Sequence, residues 1–244
     1  MLEPSIKFPP LQDSPNGTLH PGGLALTRQV LTYCDPRPDA RILDVGCGAG
    51  TTLNALTAGC PLKGFGVDVS REGLLRARCA PANAASFAQA CCEGLPIANE
   101  CIDVILSECT LSLFESDRAL QECARTLIPG GTLIIHDLYV RNEHGLEDLR
   151  RLPEGTPIRA SLPMAQIRDI LACHGFQVLA WQDCSELLKK FPVCAGQSEA
   201  GVEMLDGYVA AAHARLGYYF LVARKAWSGG SPLRKIPSHG KVQP

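Results

Sequence analysis

Three glycines at alternate positions stand out among the residues whose types and spacing could support chemistry. Gly46, Gly48 and Gly50 lie in the stretch ILDVGCGAGTT, directly after a run of apolar and β-branched residues. Glycines between a strand and a helix let the backbone turn sharply and approach a ligand without hindrance from a Cβ atom. Because an ordinary tight turn can have the same composition, the loop needs support from neighbouring residues.

Two aspartates beside this loop indicate what kind of ligand it would bind. Asp44 lies two positions before the first glycine, and Asp68 ends the next β-rich segment about twenty residues further on. An acid at the second position can accept hydrogen bonds from both hydroxyls of a ribose. Asp44 would repel the pyrophosphate of a dinucleotide and suits a ligand that carries positive charge. The loop also departs from G-x-G-x-x-G, because Thr51 stands at the third glycine position.

Short β-rich segments alternate with helix-like segments along most of the chain. Seven segments predict strands: RILDV, KGFGVDV, ASFAQA, CIDVILSE, TLIIHDLY, FQVLAWQDC and YYFLVARK. Six predict helices: GGLALTRQVLTY, TTLNALTAG, REGLLRARCA, SDRALQECARTL, MAQIRDILACHG and VEMLDGYVAAAHARLG. Repeated β-α-β units imply an α/β fold, a Rossmann-like doubly wound sheet with helices on both faces. In such sheets, ligands bind beyond the carboxyl ends of the strands, where the glycine loop lies.

Length and charge narrow the domain organisation and the classes of partner. The 244 residues suit one core with extensions. We expect an N-terminal arm and helix over 1–40, a ligand-binding domain over 41–227 and a disordered tail over 228–244. The net charge is −2, and the scattered basic residues predict neither a nucleic-acid surface nor a membrane surface. The start of the chain does not resemble a signal peptide, so we expect a cytoplasmic protein with a small-molecule ligand.

Twelve cysteines are present, and no two of them have C-x-x-C spacing. This argues against a zinc ribbon, an iron-sulfur run or a thioredoxin-type motif, and no metal is predicted from spacing. Ligands that only the fold brings together remain possible. We expect most of the thiols to be reduced, buried and structural.

Four stretches together resemble the successive motifs of class I S-adenosylmethionine (SAM)-dependent methyltransferases. They are LDVGCGAGTT, GVDVS, GLPIANECIDVILS and ARTLIPGGTLII, which occur in the order and spacing of that family over roughly Arg41 to Asp137. The resemblance implies SAM as cofactor and a seven-stranded sheet whose last strand is antiparallel. The glycine loop would lie against the methionine part of SAM, and Asp68 would hold the ribose hydroxyls.

The resemblance also implies a set of cofactor-binding residues, with one departure from the family pattern. In the family, an acid that receives the adenine amino group often stands four residues before the Leu of an LPF-like segment. Here that position is Cys91, followed by Cys92. The expected cofactor-binding residues are Asp44, Gly46, Cys47, Gly48, Gly50, Asp68, Val69, Cys91, Cys92 and Ser107.

Methyl transfer from a sulfonium needs little catalytic machinery. The leaving group is neutral, so the protein must align the reactants, exclude water and, for some acceptors, remove a proton. Candidate residues come from the ends of the fourth and fifth strands: Ser107, Glu108 and Cys109, then His136 and Asp137. We predict Glu108 or His136 as the base. The structural alternatives are a half-buried histidine that is satisfied on its strand and an Asp137 that caps a loop.

Acceptor recognition is expected from segments outside the motifs. These are the N-terminal arm, the stretch 141–163 and the stretch 185–201. The sequence HPGG at 20–23 suits either a lid over the cofactor or a plain helix entry. The acceptor, the methylated atom and the oligomeric state are left open by the sequence.

Three other interpretations compete with a general small-molecule methyltransferase. SECTLSLF is similar to the arsenite methyltransferases, in which case Cys109, Cys184 and Cys194 would converge on a thiophilic substrate. Against this, LPEGTPIRASLP carries no cysteine. An NAD-dependent oxidoreductase is favoured by the glycine loop and Asp68 and opposed by Asp44 and RTLIPGG. A thiol-handling or metal-handling protein on the same fold is the third.

Overall fold

A computed structural model describes residues 20–58, 60–80, 84–153, 156, 158–190 and 201–227. Its strands are β1 Arg41–Val45, β2 Lys63–Asp68, β3 Ser86–Gln89, β4 Ile102–Glu108, β5 Leu127–Tyr139, β6 Phe176–Asp183 and β7 Gly217–Lys225. They form one sheet in the order β3-β2-β1-β4-β5-β7-β6. The pairings from β3 to β5 are parallel, and β7 runs antiparallel to both β5 and β6. The predicted Rossmann-like sheet with an antiparallel last strand is therefore confirmed.

The helices are α1 Gly23–Leu31, α2 Thr51–Thr57, α3 Arg71–Cys79, α4 Ser116–Thr126, α5 Leu146–Arg151, α6 Met164–Cys173 and α7 Gly201–Ala214. The side chain of Ser70 caps α3 by accepting a hydrogen bond from the N–H of Gly73. Helix α5 falls in the polar stretch 141–163 and was not predicted from the sequence, because its six residues are too few to show an apolar period. Within the described residues, no helix has the length and apolarity needed to cross a membrane.

The sheet buries apolar side chains on both faces. Along β1 and β4, Leu43 and Ile105 belong to one apolar cluster, whereas Ile42 and Leu106 belong to the other. Successive side chains of a strand point to opposite faces, which explains this alternation. Helix α1 packs Val30 into the second cluster, together with residues of α2. The carboxyl ends of β1 and β4 are therefore covered from the same side by α1 and α2.

Strand β5 is longer than predicted. The segment TLIIHDLY predicts a start at Thr132, whereas the strand begins at Leu127 and runs through IPGG. Its register against β4 shifts between the pairs Ile102–Leu127 and Val104–Thr132. Gly130 has φ 78°, which the strand needs to pass through this irregularity. The predicted tail 228–244 lies outside the described residues, as do residues 1–19.

Candidate active site

The glycine loop joins β1 to α2 and has one packed side and one open side. Gly46, Gly48 and Gly50 have φ values of 78°, 51° and 69°. A Cβ atom on Gly46 would lie 2.2 Å from Cγ2 of Thr110, so this glycine is required where the loop packs on the turn after β4. At Gly48 a Cβ atom would meet nothing within 4 Å. The open side at Gly48 leaves room for a ligand against the backbone.

Asp68 is fixed beside this loop at the end of β2. One carboxylate oxygen accepts a hydrogen bond from the N–H of Gly48 at 2.7 Å, and the other accepts one from Ser70 at 2.7 Å. A carboxylate oxygen can accept more than one hydrogen bond, so both oxygens keep capacity for ribose hydroxyls. The next side chain, Val69, is apolar and 56 % exposed. The loop, the acid and the exposed apolar side chain fit a nucleoside.

Three carboxylates give the site a negative potential. Asp44 is buried, and its pKa is raised well above the usual range, first by burial and then by Glu108 and Asp68. Like charges in a region of low dielectric favour a cation that enters between them. SAM carries a sulfonium and an ammonium group, so the charges at this site fit SAM.

Glu108 at the end of β4 is the centre of a buried polar cluster. Its Oε1 accepts a hydrogen bond from the hydroxyl of Thr27 at 2.5 Å, and its Oε2 accepts one from Thr52 at 2.8 Å. Nδ1 of His136 lies 3.2 Å from Oε1, and Nε2 of His20 lies 3.3 Å from Oε2. We call His20, Glu108 and His136 the imidazole–carboxylate cluster.

The charges in this cluster follow from its contacts. Burial alone would raise the pKa of Glu108, but the imidazoles of His136 and His20 and the hydroxyl of Thr27 lower it to about 2. Burial lowers the pKa of His20, against the opposing effect of Glu108. The cluster at neutral pH thus contains an ionised carboxylate and a neutral His20.

Local backbone geometry holds Glu108 against His136. The next residue, Cys109, has φ 53°, which is uncommon for a residue with a side chain. Its N–H donates a hydrogen bond to the carbonyl of His136 at 2.6 Å. The hydroxyl of Thr110 donates to the carbonyl of Glu108 at 2.9 Å. The chain therefore turns sharply directly after Glu108, whose side chain lies beside β5.

The structure brings Glu108 and His136 together, and it adds residues that the sequence did not single out. His20 was recognised only as part of HPGG, and Thr27 and Thr52 were not recognised. Thr52 lies in the first turn of the helix that follows the glycine loop, which is a local signal. Thr27 lies 81 positions from Glu108 and gives no such signal.

Ser107 and Asp137 lie on the other side of the sheet. Ser107 is buried and stays a predicted cofactor residue. The carboxylate of Asp137 accepts hydrogen bonds from the N–H of Ser112 at 2.9 Å, from its hydroxyl at 2.7 Å and from the N–H of Leu138 at 2.7 Å. These contacts hold the turn after β4, as expected of an aspartate that caps a loop.

The three cysteines predicted to lie near the cofactor differ in burial and in their contacts. Cys47 is buried in the glycine loop, and Cys92 packs into the apolar core. Cys91 is half-buried, and its Sγ donates to Oε2 of Glu93 at 3.5 Å. Contact of Cys91 or Cys92 with adenine stays a prediction.

The three cysteines considered for a thiophilic site cannot be compared as a set. Sγ of Cys109 donates to the hydroxyl of Tyr218 at 3.8 Å. Burial raises the pKa of Cys109, and it raises the pKa of Cys184 to about 11. Both thiols are therefore protonated at neutral pH. Cys194 lies outside the described residues, so their convergence stays a prediction.

Comparison with known sequences points to one enzyme class. Residues 43–135 match the family model described as a methyltransferase domain. An O-methyltransferase of Pyrenophora dematioidea is 27% identical over 231 residues, which is 87% of this chain and 85% of that protein. An uncharacterized methyltransferase of Bacillus subtilis is 34% identical over 163 residues, which is 66% of this chain and 62% of that protein.

Solved structures have the same fold. The [4+2]-cyclase SpnF superposes with a TM-score of 0.65 at 25% identity, over 84% of this chain and 81% of that chain. Phosphoethanolamine N-methyltransferase 2 of Haemonchus contortus, in complex with S-adenosyl-L-methionine, gives a TM-score of 0.66 at 19% identity. That match covers 86% of this chain and 54% of the other, so the chain spans about half of that enzyme. Sequence relatives and fold agree with the motifs.

Proposed function

We propose that this protein, a SAM-dependent methyltransferase, methylates an oxygen atom of a small-molecule acceptor. The observation that carries the proposal is the position of Glu108. It is ionised, almost fully buried and linked to α2 directly behind the glycine loop. A carboxylate with two imidazoles beside the cofactor cradle suits an acceptor that must lose a proton.

The cofactor would occupy the open side of the glycine loop. Asp68 would accept hydrogen bonds from the ribose hydroxyls, and Val69 would lie against the adenine ring. Asp44 would face the positive charges of SAM, whose burial beside a carboxylate is favourable in low dielectric. When bound, SAM supplies an electrophilic methyl group and leaves as a neutral thioether. The chain itself orients the reactants and excludes water.

Glu108 and His136 are the proposed catalytic residues. The carboxylate of Glu108 holds the ring of His136 at 3.2 Å. A proton that leaves the acceptor hydroxyl would pass to this imidazole and be stabilised by the carboxylate. His136 is fully buried, and the ring of His20 lies 5.6 Å from it, between centroids. We propose that HPGG forms a lid over this imidazole.

An oxygen acceptor is supported by the names of relatives. The matches in Pyrenophora dematioidea, Aspergillus sclerotiorum and Penicillium expansum are all called O-methyltransferases. The chain covers 81% of the second and 64% of the third of these. Hydroxyl groups lose a proton on methylation, which fits a site that contains a base. We propose that the stretches 141–163 and 185–201 contribute to acceptor recognition; residues 154, 155, 157 and 191–200 of these stretches lie outside the described residues.

The experiment is a ligand-dependent melting test followed by a transfer assay. SAM and S-adenosylhomocysteine should each raise the Tm of the full chain, whereas NAD should not. The protein is then incubated with SAM and a panel of phenols, enols, amines and thiols, and S-adenosylhomocysteine and methylated product are measured by mass spectrometry. Product on a hydroxyl acceptor supports the proposal. Stabilisation by NAD alone, or product methylated at nitrogen, carbon or sulfur, would overturn it.

A further inference from the structure

We propose that His20, Glu108 and His136 bind one divalent transition-metal ion. Each residue offers one donor atom, and these donors lie within 4.8 Å of one another. They come from three separate places in the chain: the segment before α1, the end of β4 and the middle of β5. Two imidazole nitrogens with one carboxylate are a common ligand set for zinc and for non-haem iron.

The first argument is a buried imidazole without a hydrogen-bond partner. His136 has no exposed surface. Among the described residues, neither of its ring nitrogens has a hydrogen-bond partner, although Nδ1 is 3.2 Å from Glu108. Buried polar groups are rarely left unpaired, and an absent ion is one of the reasons when they are. The imidazole points its nitrogen at the carboxylate without the alignment for a hydrogen bond.

The second argument is the orientation of His20. Its Nδ1 lies 3.3 Å from the carbonyl oxygen of Pro21, and the tautomer that donates this hydrogen bond leaves Nε2 without a proton. Nε2 then presents a lone pair to Oε2 of Glu108 at 3.3 Å. Two acceptors face each other, while the hydroxyl of Thr27 donates to the other oxygen, Oε1. A cation between them would turn this repulsion into attraction.

The third argument is the spacing and the outer contacts of the donors. Ligands about 2.0 to 2.2 Å from a zinc ion lie roughly 3 to 4 Å from one another. Each imidazole already lies within this range of the carboxylate: Nδ1 of His136 is 3.2 Å from Oε1 of Glu108, and Nε2 of His20 is 3.3 Å from Oε2. Metal-binding histidines usually donate their other N–H to a carbonyl, and metal-binding carboxylates are usually hydrogen-bonded. The contacts from His20 to Pro21 and from Thr27 and Thr52 to Glu108 follow this pattern.

A role in methyl transfer rests on the proposed function, whereas ion binding does not. Three protein ligands would leave a coordination position free for the acceptor oxygen. An ion at that position acts as a Lewis acid and favours the loss of the hydroxyl proton. The cluster would then activate the acceptor through the ion rather than through a free imidazole.

The test is a zinc titration of the full chain after treatment with a chelator. Isothermal titration calorimetry should show one tight site per chain in the absence of SAM and acceptor. X-ray absorption at the zinc edge should show nitrogen and oxygen ligands at about 2.0 to 2.1 Å. The many cysteines make this measurement necessary, because sulfur ligands at about 2.3 Å would place the ion elsewhere and overturn the proposal. Absence of a stoichiometric site would also overturn it.

Matched variants locate the ion. Glu108→Gln and His20→Gln should each weaken zinc binding by more than about 100-fold, beyond the loss typical of outer contacts. The control is His174→Gln, because His174 makes an ordinary surface pair with Asp117 at 2.9 Å. Circular dichroism confirms that each variant is folded, and a variant that fails to fold is replaced by Thr27→Val, for which we expect about a 10-fold loss. Parent-like affinity in both Glu108→Gln and His20→Gln would refute the site.

Failure of this proposal can be told apart from failure of the proposed function. Zinc binding is measured without SAM, and methyl transfer is measured by S-adenosylhomocysteine release in the parent chain. A chain that binds zinc through nitrogen and oxygen but methylates no hydroxyl keeps the site and loses the function. A chain that methylates a hydroxyl but binds no zinc keeps the function and loses the site.

Discussion

The hydroxyl of Thr52 donates a hydrogen bond to Oε2 of Glu108 at 2.8 Å and so connects α2 to the end of β4. Thr52 lies in the first turn after the glycine loop, and Glu108 is the centre of the imidazole–carboxylate cluster. The element that shapes the cofactor cradle is therefore tied directly to the proposed catalytic carboxylate. We therefore expect a change in the conformation of the glycine loop to alter the position of the Glu108 carboxylate.

Thr52→Val should test this connection, because it removes the hydroxyl and keeps the shape. We expect the free energy of unfolding to fall by about 1 to 3 kcal/mol, since a buried carboxylate loses a donor. Chemical denaturation measures the change. Thr57→Val is the matched control in the same helix, because the Thr57 hydroxyl donates to the carbonyl of Leu53. An equal loss of unfolding free energy in the two variants would mean that the hydrogen bond to Glu108 stabilises the fold no more than an ordinary hydrogen bond within the helix.

Asp68→Ala should weaken SAM binding by roughly 10- to 100-fold. The reason is that two ribose hydroxyls would lose the carboxylate that accepts their hydrogen bonds. Isothermal titration calorimetry gives the affinity. Asp103→Ala serves as control, because Asp103 binds Arg37 and Arg41 near the amino end of β4. Unchanged affinity in Asp68→Ala would contradict the placement of the ribose.

Asp44→Asn should weaken SAM more than it weakens S-adenosylhomocysteine. Only SAM carries the sulfonium, and a buried carboxylate attracts that charge through a low dielectric. Titration of both ligands into both proteins gives the difference in binding free energy. Equal losses for the two ligands would make Asp44 a structural anchor of the loop and would remove its role in recognising the charge.

Glu122 and Arg125 predict a pH-dependent contribution to stability. The carboxylate of Glu122 accepts hydrogen bonds from Nε and Nη2 of Arg125, each at 2.7 Å, and from the N–H of Leu95 at 2.8 Å. The bond from Arg125 is the largest cause that lowers the pKa of Glu122. Because this pKa is lower in the folded than in the unfolded chain, the contribution is complete above the unfolded pKa, about 4.3. It disappears as the pH falls through the folded pKa.

Glu122→Gln should therefore be less stable than the parent by about 1 kcal/mol at neutral pH, and the difference should shrink in acid. Urea unfolding at several pH values between neutral and acid measures the difference. Glu72→Gln is the control, because Glu72 forms an exposed pair with Arg76 one helical turn away. A difference that is the same at every pH would show that the charge of Glu122 is not responsible.

Apolar runs and helix-capping residues predict much of this fold, because they depend on burial and on hydrogen bonds between residues close in the chain. RILDV predicts β1 with the observed bounds, since its side chains are buried on both faces. Ser70 predicts a helix start because its hydroxyl replaces a missing backbone partner. Strand β5 was predicted too short, because the irregularity at Gly130 depends on its partner strand and on no local period.

The candidate site could be predicted only in part, for a related reason. Glu108 and His136 lie in recognisable strands, and parallel pairing places them opposite each other. Their contacts to Thr27 and His20 depend on how α1 packs across the sheet. Such contacts join positions far apart in the chain, and a single sequence contains no periodic signal for them.

Because side chains alternate along β4 and β5, the sheet separates a polar compartment on one face from a second polar compartment on the other face. Glu108 and His136 face the compartment under α1, whereas the neighbouring residues Ser107 and Asp137 face the other. Deleting one residue within β4 would reverse this assignment, with the carboxylate carried towards Asp137 and the thiol of Cys109 left opposite His136. The chain could then keep its apolar core nearly intact and still lose its chemistry. Tolerance to insertion or deletion should therefore be lower at the carboxyl end of β4 than burial alone would suggest.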